Sequence, residues 1–295
     1  MDKIKKLLES GKPILLDGAM GTMLFAAGLE PGESPEEWNV LHPEKVQKIH
    51  RAYIEAGSQV ILTNTFGGSA VRLESHDLAE RVHELNEAAA KNAREEADAA
   101  DQIVVVAGSI GPTGQLLEPL GTLTKEAANQ SFAAQAAGLA AGGVDMFWIE
   151  TMSDLEEVKA AVAGIRSVSD LPIAATMSFD SHGHTMMGIK PEQASQTLHL
   201  EEIQFLGANC GTGSDELVEA IKAFKSTNPE LPLIAKANAG IPVVVGTEVV
   251  YNGSPELMAD YAVTVWNEGA RLIGGCCGST PDHIKAMAEA LSKVV

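Results

Sequence analysis

The chain is short of aromatic residues, cysteine and positive charge. Only 4% of its 295 residues are aromatic although 45% are hydrophobic, and 40 acidic residues outnumber 21 basic ones, for a formal net charge of −19. A surface this acidic repels phosphate backbones and anionic lipid headgroups, so we expect neither nucleic acid nor membrane partners. Three cysteines are too few, and odd in number, for a disulfide framework. The expected compartment is therefore a reducing cytoplasm.

Long apolar runs and targeting segments are missing as well. No run approaches the roughly 18 apolar residues that a membrane-spanning helix needs. The opening MDKIKKLLES has neither a long apolar core nor a small-residue cleavage site. We therefore predict no membrane span and no signal peptide. The first predicted strand is not followed by GxGxxG either, which disfavours an open doubly wound sheet that binds a dinucleotide.

The sequence does contain short apolar runs without period-two alternation. Such runs are typical of parallel strands that are buried on both faces. The predicted strands span residues 13–17, 60–63, 103–108, 145–150, 172–178, 204–209, 231–236 and 271–275.

Each predicted strand is followed by a segment with helical periodicity. These segments span roughly residues 42–57, 78–99, 124–141, 153–167, 191–202, 214–226, 254–268 and 280–293. Eight strands in strict alternation with eight helices match a (β/α)8 TIM barrel, and the doubly wound sheet is the competing interpretation. We predict a single barrel domain over residues 1–295, with its active site at the carboxyl-terminal rim of the strands. No sequence feature predicts an oligomeric state.

All three cysteines fall after predicted strands. Cys210 follows the sixth strand in GANCGTG, and Cys276 and Cys277 follow the eighth in GGCCGST. Loops that follow barrel strands share one face, so the three thiols are expected to converge there. Three thiolates are a soft ligand set for Zn²⁺, and an open fourth position is typical of a catalytic zinc site. The alternatives are buried cysteines at strand ends, or a vicinal disulfide between Cys276 and Cys277.

Other polar residues end the remaining strands at the same predicted rim. They are Asp17, Asn64, Glu150 and Asn238. Asp17 and Glu150 together could bind an ammonium group. The DGAMG segment, which includes Gly18, supplies closely spaced backbone N–H groups that could hold a carboxylate. Each polar residue could instead be a helix cap or a turn residue, but as a set they favour substrate binding.

Seven motifs in order resemble the homocysteine S-methyltransferase family, from about residue 14 to residue 290. They are DGAMGTML, ILTNTFGGS, GSIGPTG, IETMSDLEE, GANCGTG, ANAGIP and GGCCGSTPDHI. PEEWNVLHPEKV, TNTFGG and GSIGPTG are most similar to the homocysteine-binding module of cobalamin-dependent methionine synthase. The resemblance implies a (β/α)8 barrel with zinc on Cys210, Cys276 and Cys277. It also implies that Asp17, Glu150 and Asn238 surround the amino acid group of homocysteine, with Asn238 near the open metal position.

The resemblance bears on the methyl donor too. The betaine-using branch of the family carries two tyrosines at positions that are held here by Thr151 and Gly67. An aromatic cage for a trimethylammonium donor is therefore expected to be absent, although Trp38 could supply one wall. Because the chain ends at Val295, a corrinoid donor is expected to come on a separate protein or as free methylcobalamin.

These observations predict a zinc-dependent homocysteine S-methyltransferase that forms methionine. A methyl-corrinoid supplied in trans is the first expectation for the donor, a sulfonium such as S-methylmethionine the second, and betaine the third. The alternative from another functional class is a non-catalytic thiol- or metal-binding module that serves a partner protein. A purely structural zinc site would need a fourth protein ligand, and no further cysteine is present.

Overall fold

The computed structural model describes residues 2–180, 182–201, 203–211, 213–245 and 248–294. The ends of the predicted domain at Met1 and Val295, and Glu202 at the end of one predicted helix, lie outside the described residues. The strands are β1 (Ile14–Leu15), β2 (Val60–Leu62), β3 (Val105–Ile110), β4 (Met146–Met152), β5 (Ile173–Met177), β6 (Phe205–Asn209), β7 (Leu233–Ala237), β8 (Pro242–Val245), β9 (Glu248–Tyr251) and β10 (Ala270–Gly275).

Helices alternate with these strands along the described ranges. They are α1 (Asp2–Glu9), α2 (Met20–Ala26), α3 (Trp38–Leu41), α4 (Pro43–Glu55), α5 (Ala70–Leu73), α6 (Val82–Ala99), α7 (Lys125–Gly142), α8 (Leu155–Arg166), α9 (Pro191–Leu200), α10 (Ser214–Thr227), α11 (Pro255–Asn267) and α12 (Pro281–Leu291). Short 3-10 turns cover Pro35–Glu37, Glu74–His76 and Ala79–Arg81. In the described part of the chain, no helix is both long and apolar enough to cross a membrane.

Eight strands form one parallel sheet in the order β1-β10-β7-β6-β5-β4-β3-β2. One outer strand pairs with β10 through Ile14 opposite Leu272. A single parallel bridge between Leu16 and Val60 then joins the two ends of this order, which closes the sheet into a barrel. The predicted TIM barrel is confirmed, and every predicted strand and every predicted helix has its counterpart.

The amino-terminal end of the barrel is filled by apolar side chains. Trp148, Phe205 and Leu272 belong to the cluster inside the barrel, and Ile4 and Leu7 of α1 pack against it. The guanidinium of Arg271, at the start of β10, donates to the Leu8 carbonyl at 3.0 Å and holds α1 there. This helix was not predicted. It closes the end of the barrel opposite the rim where the active site is expected.

Small residues let the outer helices pack closely on one another. A Cβ atom added at Gly142 of α7 would lie 2.6 Å from the Glu87 carbonyl oxygen of α6, which is closer than real Cβ contacts. Buried alanines such as Ala90 and Ala136 line the same layer. The scarcity of aromatic residues therefore goes with tight helix packing, in which a large side chain has no room.

The loop after β7 contains structure that was not predicted. Strands β8 and β9 pair as an antiparallel hairpin, with Pro242 opposite Tyr251 and Val243 opposite Val250. Because this loop follows a barrel strand, the hairpin lies at the carboxyl-terminal rim. The short helices α2, α3 and α5 also lie in loops that follow strands. The rim is thus more elaborate than the simple alternation predicted.

Candidate metal and substrate site

The three cysteine sulfurs converge as predicted. Cys210 follows β6, Cys276 and Cys277 follow β10, and their Sγ atoms all lie within 4.8 Å of one another. In the described ranges, no other set of three or more His, Cys, Asp or Glu groups is close enough to hold a metal ion. All three are free thiols, so the structure contains no vicinal disulfide. Tetrahedral zinc with Zn–S bonds of about 2.3 Å needs sulfurs about 3.8 Å apart, which this cluster can supply with small shifts.

Backbone hydrogen bonds to β7 hold the cysteine loops in place. The N–H of Cys210 donates to the Lys236 carbonyl at 3.0 Å, and that of Cys276 donates to the Ala237 carbonyl at 2.6 Å. Cys210 adopts a left-handed backbone with φ of 63°, and Gly211 follows with φ of 87°. A left-handed conformation is unfavourable for a residue with a Cβ, so the loop holds Cys210 in a strained geometry that turns its sulfur toward the other two.

Two asparagines surround the sulfurs. The Nδ2 atom of Asn209 lies 3.6 Å from the Cys276 sulfur and donates to Thr151 Oγ1 at 2.7 Å, while its Oδ1 accepts from the Thr151 N–H at 2.9 Å. Asn238 Nδ2 donates to the Gly211 carbonyl at 2.8 Å. Its Oδ1 atom is buried and has no hydrogen-bond partner among the described residues. Asn209 can therefore stabilise a thiolate, and Asn238 presents an unpaired acceptor beside the cysteine loop.

The thiols are expected to be protonated when no cation is bound. Hydrogen bonding to Cys210 and burial raise the pKa of Cys276 to about 12. Three thiolates could not share so small a volume without a positive charge between them. A soft divalent cation would supply that charge, and its binding would release the thiol protons. The chemistry of the donor set therefore fits a zinc ion.

A cavity of about 280 Å³ adjoins the cysteines. Seven of the eight residues that the sequence nominated for metal or substrate line it, together with unpredicted neighbours. The seven are Asp17, Gly18, Asn64, Glu150, Cys210, Cys276 and Cys277. Asn238 does not line it and lies against the Gly211 loop instead. The structure thus brings the nominated thiols and carboxylates to one cavity.

The cavity floor contains a buried ion pair that the sequence analysis missed. Lys236 Nζ lies 3.2 Å from Asp17 Oδ1, and the side chains of Lys236 and Asp17 are 3% and 4% exposed. The other oxygen of Asp17 accepts from the Leu62 N–H at 2.6 Å. Burial raises the pKa of Asp17, and the charge of Lys236 opposes that shift. A lysine at the end of an apolar strand was the available signal, because a buried ammonium needs a carboxylate partner.

Glu150 stands beside this pair at the end of β4. Its Oε1 atom accepts from the Ser109 hydroxyl at 2.5 Å. Burial raises the pKa of Glu150, and the nearby charge of Lys236 lowers it again in part. The side chain is 8% exposed and lines the cavity, so its carboxylate can reach a bound ligand.

The DGAMG loop forms the wall next to the carboxylates. The N–H of Asp17 donates to the Val60 carbonyl at 3.0 Å, and that of Ala19 to Ser279 Oγ at 3.1 Å. The Gly18 N–H has no hydrogen-bond acceptor among the described residues. A Cβ atom at Gly18 would lie 2.7 Å from Ser279 Oγ, so the close approach of this loop to Ser279 requires glycine.

Aromatic residues around the cavity differ from expectation. Trp38 is 4% exposed, packs its ring 4.8 Å from that of His42 and does not line the cavity. Phe66, which is 42% exposed, does line it. Tyr251, at the end of the unpredicted hairpin, packs against Gly278, and burial and the neighbouring Cys277 raise the pKa of its hydroxyl. Trp38, which could have supplied one wall of a cage, therefore does not supply one.

Comparisons with known proteins agree with this geometry. The family model for homocysteine S-methyltransferase matches residues 14–291. Methionine synthase of Mycobacterium tuberculosis is 32% identical over 293 residues, which are 94% of this chain and 24% of that protein. Methionine synthase of Mycobacterium leprae is 32% identical over 292 residues, with the same coverage. The chain thus spans about a quarter of the length of these curated relatives.

A solved structure matches over nearly the whole chain. The metallated form of the homocysteine methyltransferase MmuM from Escherichia coli superposes with a TM-score of 0.82 at 25% identity, over 97% of this chain and 99% of that one. A methyltransferase from Methanosarcina mazei shares the fold with a TM-score of 0.61 at 13% identity, over 96% of this chain and 94% of that one. The family resemblance seen in the sequence motifs is confirmed. The chain belongs to the homocysteine S-methyltransferase family.

Proposed function

We propose that this protein is a zinc-dependent homocysteine S-methyltransferase that forms methionine. The observation that carries the proposal is the convergence of three thiols, within 4.8 Å of one another, beside a cavity whose floor holds buried carboxylates. Such a site offers a metal position and an amino acid position side by side. We further propose one barrel domain over residues 1–295 that acts in the cytoplasm, where free thiols stay reduced.

Cys210, Cys276 and Cys277 are proposed to hold the zinc ion. A bound zinc ion would accept the substrate sulfur in its remaining position and lower the thiol pKa, so that a thiolate exists at neutral pH. Asn209 stabilises the anionic sulfur of Cys276 through its N–H at 3.6 Å. Asn238 keeps its unpaired Oδ1 for the open side of this centre.

The amino acid group of homocysteine is proposed to lie on the cavity floor. Glu150, which Ser109 holds in place, faces the ammonium group of the substrate. The N–H of Gly18 faces its carboxylate, together with the first backbone groups of α2. Asp17 completes the floor through its pair with Lys236. Fixing both ends of a short amino acid places its sulfur at the cysteines, which raises the rate by proximity and orientation.

The surroundings of the cavity favour a bulky donor. Exposed apolar side chains are concentrated in loops that follow barrel strands: Phe25, Leu41, Phe66, Leu116, Leu120, Met186, Ile241, Val243 and Val250. A broad apolar rim suits a large, flat methyl-corrinoid supplied in trans, as free methylcobalamin or on a partner protein. A trimethylammonium donor such as betaine needs an aromatic cage, and Phe66 is the aromatic residue that lines the cavity. As a proposed methyl donor, a sulfonium such as S-methylmethionine comes after the methyl-corrinoid and before betaine.

A donor panel tests this proposal. Methionine formation is followed with zinc-loaded protein, homocysteine and equal concentrations of methylcobalamin, S-methylmethionine and betaine, with Cys210→Ala as the inactive control. We expect turnover with methylcobalamin and little with betaine. Rapid turnover with betaine alone would overturn the donor assignment. Homocysteine binding without turnover on any donor, including a methyl-corrinoid protein, would favour the non-catalytic module.

A further inference from the structure

The ion pair on the cavity floor determines which carboxylate can bind the ammonium group of the substrate. Both oxygens of Asp17 already have partners inside the protein: the Leu62 N–H at 2.6 Å and Lys236 Nζ at 3.2 Å. Glu150 has one oxygen bonded to Ser109, also within the protein. Of the two carboxylates that the motifs assign to the substrate ammonium, only Glu150 is free of a direct ion pair with Lys236.

The side chain of Lys236 is almost wholly buried, and among the described residues its one ion pair is with Asp17. It points inward from β7, is 3% exposed, and holds its ammonium 5.8 Å from the centre of the Trp148 ring. The Trp148 Nε1 and Thr176 Oγ1 atoms are likewise buried, and neither has a hydrogen-bond partner among the described residues. A charged ammonium in such surroundings is stable only beside a carboxylate.

The ion pair of Asp17 with Lys236 sets the net charge of the cavity floor, and this charge bears on which ligands can bind. In their ionised forms, Asp17, Glu150 and Lys236 together carry one net negative charge, which a single substrate ammonium neutralises. Glu36 also lines the cavity, but its two oxygens accept from the Gly67 N–H and the Ser34 hydroxyl. Without Lys236 the floor would carry two. Without Asp17, the ammonium of Lys236 would face Glu150 and repel the ammonium of the substrate. The lysine thus matches the floor to a ligand with one positive charge.

We propose that Lys236 is a positioning residue that occupies Asp17 and leaves Glu150 as the sole carboxylate for the substrate ammonium. This inference rests on the proposed function, because it assumes that an amino acid thiol binds in the cavity. It differs from the expectation that Asp17 and Glu150 share the ammonium. Asp17 then acts on the substrate only by holding Lys236 away from Glu150.

The test uses Asp17→Asn, Lys236→Met and the double variant in the zinc-loaded protein. Homocysteine binding is measured by calorimetry without a methyl donor, next to 4-sulfanylbutanoate, which lacks the amino group. Asp17→Asn should weaken homocysteine binding by about tenfold or more. The double variant restores one net negative charge and should return to within about threefold of the wild type. Binding of 4-sulfanylbutanoate should not weaken in Asp17→Asn, which separates a charge effect from general damage.

Thermal unfolding tests the ion pair without any ligand. Each single variant leaves a buried charge without its partner and should lower the Tm, whereas the double variant should recover most of that loss. If neither single variant folds but the double variant does, the coupling is established. Homocysteine affinity of the double variant compared with wild type then decides the proposal.

Asp145 provides a matched control at the other end of the barrel. One oxygen of its half-buried carboxylate accepts from the Val106 N–H at 2.8 Å and pairs with Arg94 at 2.6 Å, the same two kinds of partner that Asp17 has in Leu62 and Lys236. Asp145→Asn should lower the Tm without changing homocysteine affinity.

The outcomes separate this inference from the proposed function. A double variant that binds homocysteine as poorly as Asp17→Asn would overturn the inference, because Asp17 would then contact the substrate itself. Additive Tm losses would overturn it as well. If the wild type binds no homocysteine, the proposed function fails and the specificity role falls with it, while Tm coupling would still establish the ion pair.

Discussion

The two ends of the barrel differ in the chemistry of their buried side chains. At the amino-terminal end, Ile4 and Leu7 of α1 pack on a purely apolar cluster. At the carboxyl-terminal rim lie the free thiols and the buried side chains of Asp17, Glu150 and Lys236. Buried polar groups destabilise a core unless they are paired. The buried ion pair of Asp17 with Lys236 thus lies at the end where a ligand can bind, whereas the opposite end is closed by apolar packing.

Strained backbone conformations are also found at the carboxyl-terminal rim. Among the described residues, left-handed non-glycine backbones occur at Asp77, Thr151, His182 and Cys210. All four lie at the ends of barrel strands or in the loops that follow them. Cys210 belongs to the cysteine cluster, and Thr151 contacts the asparagine beside it. Strain of this kind persists only where the surrounding structure enforces it. The rim thus carries geometry that folding alone would not favour.

The largest expected effect is that a substitution at the rim removes zinc, whereas a substitution at the amino-terminal end lowers the unfolding free energy. Cys210→Ala should reduce zinc from about one ion per chain to a small fraction, because two adjacent thiolates bind it weakly. Leu7→Ala should keep its zinc but lose about 2–5 kcal/mol of unfolding free energy, through the cavity it leaves. Metal analysis after dialysis and denaturant unfolding of the apo proteins measure both quantities.

Ser58→Ala is the control for Cys210→Ala, because it removes one buried γ atom near the amino-terminal end, where Ser58 Oγ donates to the Leu16 carbonyl at 3.1 Å. It should retain zinc fully. Full zinc occupancy in Cys210→Ala would remove Cys210 from the site. Zinc loss in Leu7→Ala at a temperature where it stays folded would show that the two ends are not independent.

The division between the ends was only partly predictable from the sequence. The strands were found because each is a short apolar run buried on both faces, and the convergence of Cys210 with Cys276 followed from barrel geometry. The pairing of Lys236 with Asp17 spans 219 residues and leaves no local pattern. The β8–β9 hairpin and the position of Tyr251 depend on tertiary contacts at the rim. Helix α1 was missed because it precedes the first strand, outside the alternation.

A smaller effect is expected for substrate recognition. Glu150→Gln should raise the KM for homocysteine by the equivalent of about 1.5–3 kcal/mol, because one charged hydrogen-bond partner of the ammonium is lost. Zinc content should not change. Glu157→Gln is the matched control: its buried carboxylate accepts from the hydroxyl of Thr113 at 2.6 Å, as Glu150 accepts from Ser109, but it does not line the cavity. An unchanged KM in Glu150→Gln, with lowered stability in both variants, would make Glu150 structural.

The smallest effect concerns the strained residue beside the cysteine cluster. Thr151 has φ of 61° and anchors Asn209, whose Nδ2 lies 3.6 Å from the Cys276 sulfur. Thr151→Gly relieves the left-handed strain but loses the hydroxyl, and glycine also gains freedom in the unfolded chain. These contributions oppose one another, so the unfolding free energy should change by less than about 1 kcal/mol. Zinc affinity should nevertheless fall by about tenfold, because the group that orients a metal ligand is loosened.

Asp77→Gly is the matched control for Thr151→Gly. Asp77 also has a left-handed backbone, with φ of 57°, but it ends the 3-10 turn Glu74–His76 on the surface, away from the cysteines. Relief of its strain should leave zinc affinity unchanged, as measured by competition with a chromophoric chelator. If Thr151→Gly binds zinc as tightly as Asp77→Gly does, the strained backbone at Thr151 has no part in holding the metal. If Thr151→Gly is clearly more stable but binds zinc more weakly, the strained backbone at Thr151 serves zinc binding and does not stabilise the fold.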